Sequence, residues 1–241
     1  MDWQSYLSDW KTTAEEQGFT TGKLVEVDGF PVWASEKGDP SRPTVYLSSG
    51  VHGDEPSGPQ ALLELLKSGY FGEEYHWLLC PALNPTGLQA GTRENARGID
   101  LNRDYLNCEA DEVCAHIEWL KNQKIPDLFL SLHEDWESSG FYYYEINCGG
   151  KGATHQEILG AASAYFEPEP EVMIDDHPVT EKGWIYHSEE PDIPEGWPEA
   201  IYLAKMGCPI SLTFETPSSG ALGDRMACHQ AVVREAIARI P

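Results

Sequence analysis

Three apolar runs in this sequence end in groups able to hold a metal ion or move a proton. "TVYLSSGVHGDE" (44–55) supplies His52 and Glu55, "DLFLSLHED" (127–135) supplies His133, and "ISLTFET" (210–216) supplies Glu215. Two imidazoles and a carboxylate form the three-ligand set of catalytic zinc, which leaves a fourth position open to water. Taken singly, each has a plainer reading. His-x-x-Glu occurs in ordinary surface turns, His133 suits a satisfied core position, and Glu215 suits a salt bridge. Their shared placement at strand ends gives the metal reading its weight. An extended strand cannot aim both His52 and Glu55 at one point, but Gly53 and Pro56 suit a turn that folds Glu55 back beside His52. Asp54, Glu134 and Asp135 compete as carboxylates, although strand alternation sends Glu134 to the face opposite His133. The other histidines (His76, His116, His155, His177, His187, His229) have no comparable setting and read as structural or exposed.

A second cluster is cationic. Arg93, Arg97 and Arg103 are three of the chain's seven arginines and fall within eleven residues of "LNPTGLQAGTRENARGIDLNRDY" (83–105). The planar guanidinium fork matches a carboxylate, so the patch points to a substrate bearing one or more carboxylates. Pairing with the protein's own acids is the competing reading, and for Arg97 the two stand even. The Gly and Asn content makes this a loop, where positioned binding groups usually sit.

Elements that could position these groups follow from patterning. The first eighteen residues read as an acidic amphipathic helix, and "KLVEVDGFPVWASEKG" reads as a hairpin turning at Asp28-Gly29 on a sheet edge. Strands are expected at "TVYLSSG", "YHWLLCPAL", "DLFLSLHE", "FYYYEIN" and "CPISLTFE", several of them continuous apolar runs suited to a sheet covered on both faces. Helical patterns fall at 57–68, 110–123, 154–166 and 199–206 and in the closing "GDRMACHQAVVREAIARI". The acidic, proline-rich stretch 167–198 reads as an elaborated loop. The fold class is therefore α/β: a three-layer α/β/α sandwich with a mixed, mostly parallel central sheet, expected as one domain over 1–241. Ligands in such sheets collect beyond the carboxyl ends of the strands.

Composition narrows the partners. Forty acidic residues against 16 basic ones give a formal charge of -24, which repels nucleic acid and anionic membrane surfaces. No run approaches a membrane span, and the start lacks a secretory pattern, so a cytoplasmic protein is expected. The six cysteines form no CxxC pair and read mostly as reduced core thiols, leaving no zinc knuckle or thioredoxin-like motif.

In their order, "HGDE", "NPTG", "R-x-N-x-x-GIDLNR", the strand-borne "LHE" and the late "TFET" resemble the zinc carboxypeptidase family related to carboxypeptidase A, in particular its compact bacterial branch that includes murein peptide amidases. The match runs from about residue 45 to 216. The resemblance implies His52, Glu55 and His133 as ligands of one zinc ion per chain, and Asp100 as the aspartate that orients a histidine ligand. It implies Asn102 and Arg103 as the holders of a substrate carboxylate, Arg93 as the stabiliser of an oxyanion and Glu215 as general base and acid. The family's substrate-binding loop tyrosine has Tyr186, in "GWIYHSEEP", as its candidate.

The implied activity is hydrolysis of an amide next to a free carboxylate, as a carboxypeptidase or as an amidase of γ-D-glutamyl-diaminopimelate bonds in murein peptides. The alternative keeps the metal and takes N-acyl amino acids, in the manner of aspartoacylase and succinylglutamate desuccinylase. A binding module on a degenerate scaffold is the third possibility. Oligomeric state is not legible.

Overall fold

The computed structural model describes residues 1–240. Helix α1 (Trp3–Glu16) opens the chain, capped by the Asp2 side chain accepting from the Gln4 N–H. It buries Trp3, Tyr6, Leu7, Trp10 and Ala14, the stripe that a 3.6-residue period lays on one face. Strands β1 (Thr20–Val27) and β2 (Phe30–Lys37) pair as the expected hairpin. Its turn puts Asp28 at φ 50° and Gly29 at φ 80°, the left-handed pair that a two-residue hairpin of this twist requires.

Strand β3 (Thr44–Ser49), helix α2 (Ser57–Lys67), strand β4 (His76–Cys80), helix α3 (Pro85–Ala90), helix α4 (Asp111–Lys121) and strand β5 (Leu128–Asp135) follow. Next come strand β6 (Tyr142–Asn147), helix α5 (His155–Ala162), the short strands β7 (Met173–Ile174) and β8 (His177–Pro178), and strand β9 (Trp184–His187). Helix α6 (Glu199–Lys205), strand β10 (Ile210–Pro217) and helix α7 (Leu222–Ala238) complete the order. The eight-stranded sheet runs β1-β2-β4-β3-β5-β10-β6-β9. Strands β4, β3, β5 and β10 are mutually parallel, β6 and β9 are parallel to each other, and the remaining pairings are antiparallel.

Side-chain alternation explains the layers. Val45 and Leu47 of β3 and Leu128, Leu130 and Leu132 of β5 face a core built with α1, α2, α5 and α7. Tyr46 and Phe129 face the opposite core with Val113, Ile117 and Leu120 of α4 and Leu203 of α6. Apolar groups on both parities give the continuous buried run that distinguishes a covered strand from a half-exposed one. The α/β/α class is as expected, with β1 at one edge.

The 167–198 stretch departs from the loop expected there, since it contains the β7–β8 hairpin and edge strand β9. The hairpin turns on Asp175 and Asp176 at φ 49° and 62°, without the glycine that would have signalled it. Cys80, Cys208 and Cys228 are buried thiols. The expectation of mostly reduced core thiols fails for the rest: Cys148 is exposed, and Cys108 and Cys114 form a disulfide at the start of α4.

Candidate active site

Strand parity and register build the floor of one cleft. With Leu130 and Leu132 committed to the α2/α7 side, Ser131 and His133 of β5 face the other way. Leu212 and Phe214 do the same for β10, which leaves Ser211, Thr213 and Glu215 in the cleft. Glu215 pairs in register with His133 on β5 and with Tyr142 on β6, so an imidazole, a carboxylate and a phenol stand in one row across three strands.

The turn after β3 closes over this row. A side chain on Gly53 would collide with the backbone of Gly87 at α3, so glycine is required there by close approach. Glu134, turned away from His133 as alternation requires, accepts the Ser57 N–H at 2.6 Å and pairs with Arg225, tying the first turn of α2 to β5. The turn thereby delivers Glu55 to both histidines. Glu55 Oε1 lies 2.6 Å from His52 Nδ1 and Oε2 lies 2.9 Å from His133 Nδ1, with all three residues buried.

Two observations show that this trio suits a cation. Asp100 Oδ1 accepts from His52 Nε2 at 3.2 Å, which holds a proton there and leaves Nδ1, the nitrogen beside Glu55, as the one to give up its proton to a cation. Glu55 Oε2 is buried and accepts no hydrogen bond, despite its proximity to His133. Lone pairs that converge in a buried site are costly unless a positive charge sits among them. Burial opposes the charge on Glu55, but the neighbouring imidazoles outweigh it and hold its carboxyl below the usual range. Burial likewise opposes charge on His52, and Glu55 and Asp100 outweigh it and lift the imidazole. For His133 burial wins, and its pKa falls. One neutral imidazole, one that is charged until a cation displaces its proton, and one carboxylate form a competent N2O donor set.

Arg93 spans the same corner. Its Nε donates to Asp100 Oδ2 at 3.0 Å, and its Nη1 lies 3.3 Å from His52 Nδ1 and 3.8 Å from Glu55 Oε1. Burial works against ionisation of Asp100, yet the hydrogen bond from His52 and the charges of His52, Arg93 and Arg103 hold it well below the usual carboxylate range. Asn102 and Arg103 line the cleft beside it, and Arg103 has no carboxylate partner among the described residues. Arg97 instead donates to the Glu109 carbonyl at 3.1 Å, outside the cleft lining. Beside His133, burial first, then the charges of Glu55, Asp135 and Asp175, raise the Glu215 carboxyl well above its ordinary value.

Tyr186 does not join this group. Its partner across the β6–β9 pairing is Glu145, and both line a separate shallow hollow with Trp184, where the Tyr186 hydroxyl donates to the Asn147 carbonyl at 3.0 Å. Tyr142 and Tyr144 of β6 present their phenols in the cleft instead. His177 and His187, read from the sequence as structural or exposed, also correct that reading. They line the outer cleft and converge with Asp192, their ligating atoms all within 4.8 Å of one another. Glu199 was not singled out by sequence either. It lies at the cleft floor, 1% exposed, accepting from Tyr46 and Ser48 at 2.7 Å each. The sequence carries no signal for it, because its partners Tyr46 and Ser48 lie 153 and 151 positions away along the chain.

Fold and site together define the zinc carboxypeptidase-like class. Within it, the chain belongs to the succinylglutamate desuccinylase/aspartoacylase catalytic domain family, whose model matches residues 41–164, just over half of its length. That match contains the buried trio and the arginine loop and ends before Glu215. Pairwise relatives carry peptidase names. Carboxypeptidase SOL1 of Arabidopsis thaliana is 32% identical over 43% of this chain and 26% of its own length. Murein peptide amidase A of Escherichia coli is 39% identical over 27% of this chain and 26% of its own length. The chain thus matches about a quarter of the length of these curated relatives. A crystal structure from Shewanella denitrificans, of a protein whose metallopeptidase assignment is itself provisional, superimposes with a TM-score of 0.84 at 25% identity, over 98% of this chain and 90% of that one. Among the described residues no helix is long and apolar enough to cross a membrane.

Proposed function

We propose that this chain is a single-domain, zinc-dependent hydrolase of amide bonds that lie next to a free carboxylate. The observation that carries the reading is the placement of Glu215 in register beside His133, in the same cleft as the buried His52, Glu55 and His133. Those three residues would hold zinc, which supplies Lewis-acid polarisation of a carbonyl and acidifies water. Glu215 takes the proton of the attacking water and hands it to the departing nitrogen, and its raised affinity for protons suits it to carry one between the two events. Arg93 is placed to meet negative charge on the carbonyl oxygen, since its side chain is 40% exposed while anchored through Nε to Asp100. Asn102 and Arg103 hold the substrate carboxylate. Asn102 is itself fixed, its Oδ1 accepting the Glu199 N–H at 3.0 Å.

For the substrate we favour a small peptide, as in carboxypeptidases or murein-peptide amidases. The cleft encloses about 940 Å3, near the upper end of the usual range of small-ligand pockets (about 300–1,000 Å3) and more than one acylated amino acid fills. The second reading, deacylation of N-acyl amino acids, is favoured by the family match over residues 41–164. A panel of C-terminally free peptides, γ-D-glutamyl-diaminopimelate peptides and N-acyl amino acids, assayed with zinc-loaded protein, separates the two. Turnover confined to acyl amino acids refutes the peptidase assignment. No turnover of any class, with zinc bound, refutes the hydrolase.

A further inference from the structure

We propose that His177, His187 and Asp192 form a second metal site, for one zinc-class divalent ion, on the outer wall of the cleft. The three residues come from separate segments: His177 from the start of β8, His187 from the end of β9, and Asp192 from the loop beyond it. His187 and Asp192 are five positions apart, and His177 joins them from the separate β8 strand. Asp192 Oδ2 lies 2.9 Å from His187 Nε2 and 3.2 Å from His177 Nε2. Ligand atoms at about 2.0–2.2 Å from a tetrahedral metal lie roughly 3.3–3.5 Å from one another, so small movements would admit the ion.

The tautomer of His187 supplies an independent reason. Its Nδ1 is 2.5 Å from the Ser188 carbonyl oxygen, which can only accept, so Nδ1 carries the proton. With Nδ1 committed to that carbonyl, Nε2 is the nitrogen left to face the Asp192 carboxylate, at 2.9 Å, where a cation could be shared between them. A backbone carbonyl holding Nδ1–H is also the arrangement that orients imidazole for metal binding through Nε2. His177 and His187 are largely shielded, with side-chain exposures of 21% and 12%, while Asp192 remains open to solvent at 60%, which leaves an entry path.

The ion would clamp the β7–β8 hairpin to the loop 188–193, two segments that carry Asp175, Asp176, Pro191 and Ile193 into the cleft lining. It would also offset the acidic charge of that wall. The site does not depend on the hydrolase reading, since it shares no residue with the buried trio.

Metal-free protein titrated with Co2+ tests the proposal, followed by the visible bands of low-symmetry nitrogen and oxygen coordination and by dialysis stoichiometry. Wild type should take two equivalents. The double variants His52→Ala/His133→Ala and His177→Gln/His187→Gln should each take one, with different spectra, and Asp192→Asn should weaken the second equivalent by at least about tenfold. Thermal melts of the metal-free variants check that they fold. A single equivalent in wild type that His177→Gln/His187→Gln still binds overturns the proposal. So does a second equivalent that survives unchanged in both His177→Gln/His187→Gln and Asp192→Asn.

Discussion

Replacing Asp100 with Asn tests whether the buried trio is pre-set for metal. The carboxylate has three partners: Oδ1 accepts from His52 Nε2 at 3.2 Å and from the Asn102 N–H at 2.9 Å, and Oδ2 accepts from Arg93 Nε at 3.0 Å. Asn can keep Oδ1 in place only by turning its NH2 toward the Arg93 donor. Flipping the amide instead points NH2 at His52 and pushes that ring's proton onto Nδ1, the atom meant for the metal. Either way the charge that favours the Nε2–H tautomer is gone. Loss of such a supporting carboxylate weakens metal binding by about 10–100-fold, or roughly 1.4–2.7 kcal/mol. Zinc affinity measured by competition with a chromophoric chelator reads this directly, and a melt of the metal-free protein checks the fold. A variant that binds zinc within twofold of wild type, with an unchanged melt, would refute the reasoning that Asp100 sets the tautomer of His52.

Glu215→Gln should keep the metal and lower kcat by about 10²–10⁴-fold on whichever substrate is turned over, so equal loss of metal and activity would argue for a structural role. Glu199 gives a pH-dependent expectation: burial, against the hydrogen bonds of Ser48 and Tyr46, raises its carboxyl from 4.5 to about 7. The folded state then keeps a proton that the unfolded chain releases. The stabilisation is complete below about pH 4.5 and is lost as pH rises through about 7. Urea unfolding of Glu199→Gln should therefore gain on wild type between pH 5 and pH 8, by at most about 3 kcal/mol, whereas a pH-independent difference would contradict it. Gly53→Ala should cost about 1–3 kcal/mol or more and reduce metal affinity with it, because the added methyl runs into the Gly87 backbone. Unchanged urea stability would show that the turn can yield.

Much of the site was legible because it lies on covered strands. The apolar runs ending at His133 and Glu215 fix side-chain parity by themselves, and the turn at Gly53 and Pro56 needs only local chemistry. Gly53 itself is explained differently, by contact with a segment 34 positions away that the local sequence does not reveal. Tyr186 failed for a related reason. Whether a tyrosine on β9 faces the cleft depends on its register with β6, and that pairing puts His187 inside and Tyr186 outside. His177 escaped notice because its hairpin turns on two aspartates. Asp192 sits among acids and prolines that suggested only solvent.

The most direct test of the central claim is an anomalous-difference map at the zinc edge from crystals of zinc-loaded protein. The structure predicts the strongest peak at about 2.0–2.2 Å from His52 Nδ1, His133 Nδ1 and a Glu55 oxygen, in the cleft that Glu215 lines. Absence of density among those three atoms at full zinc loading would contradict it.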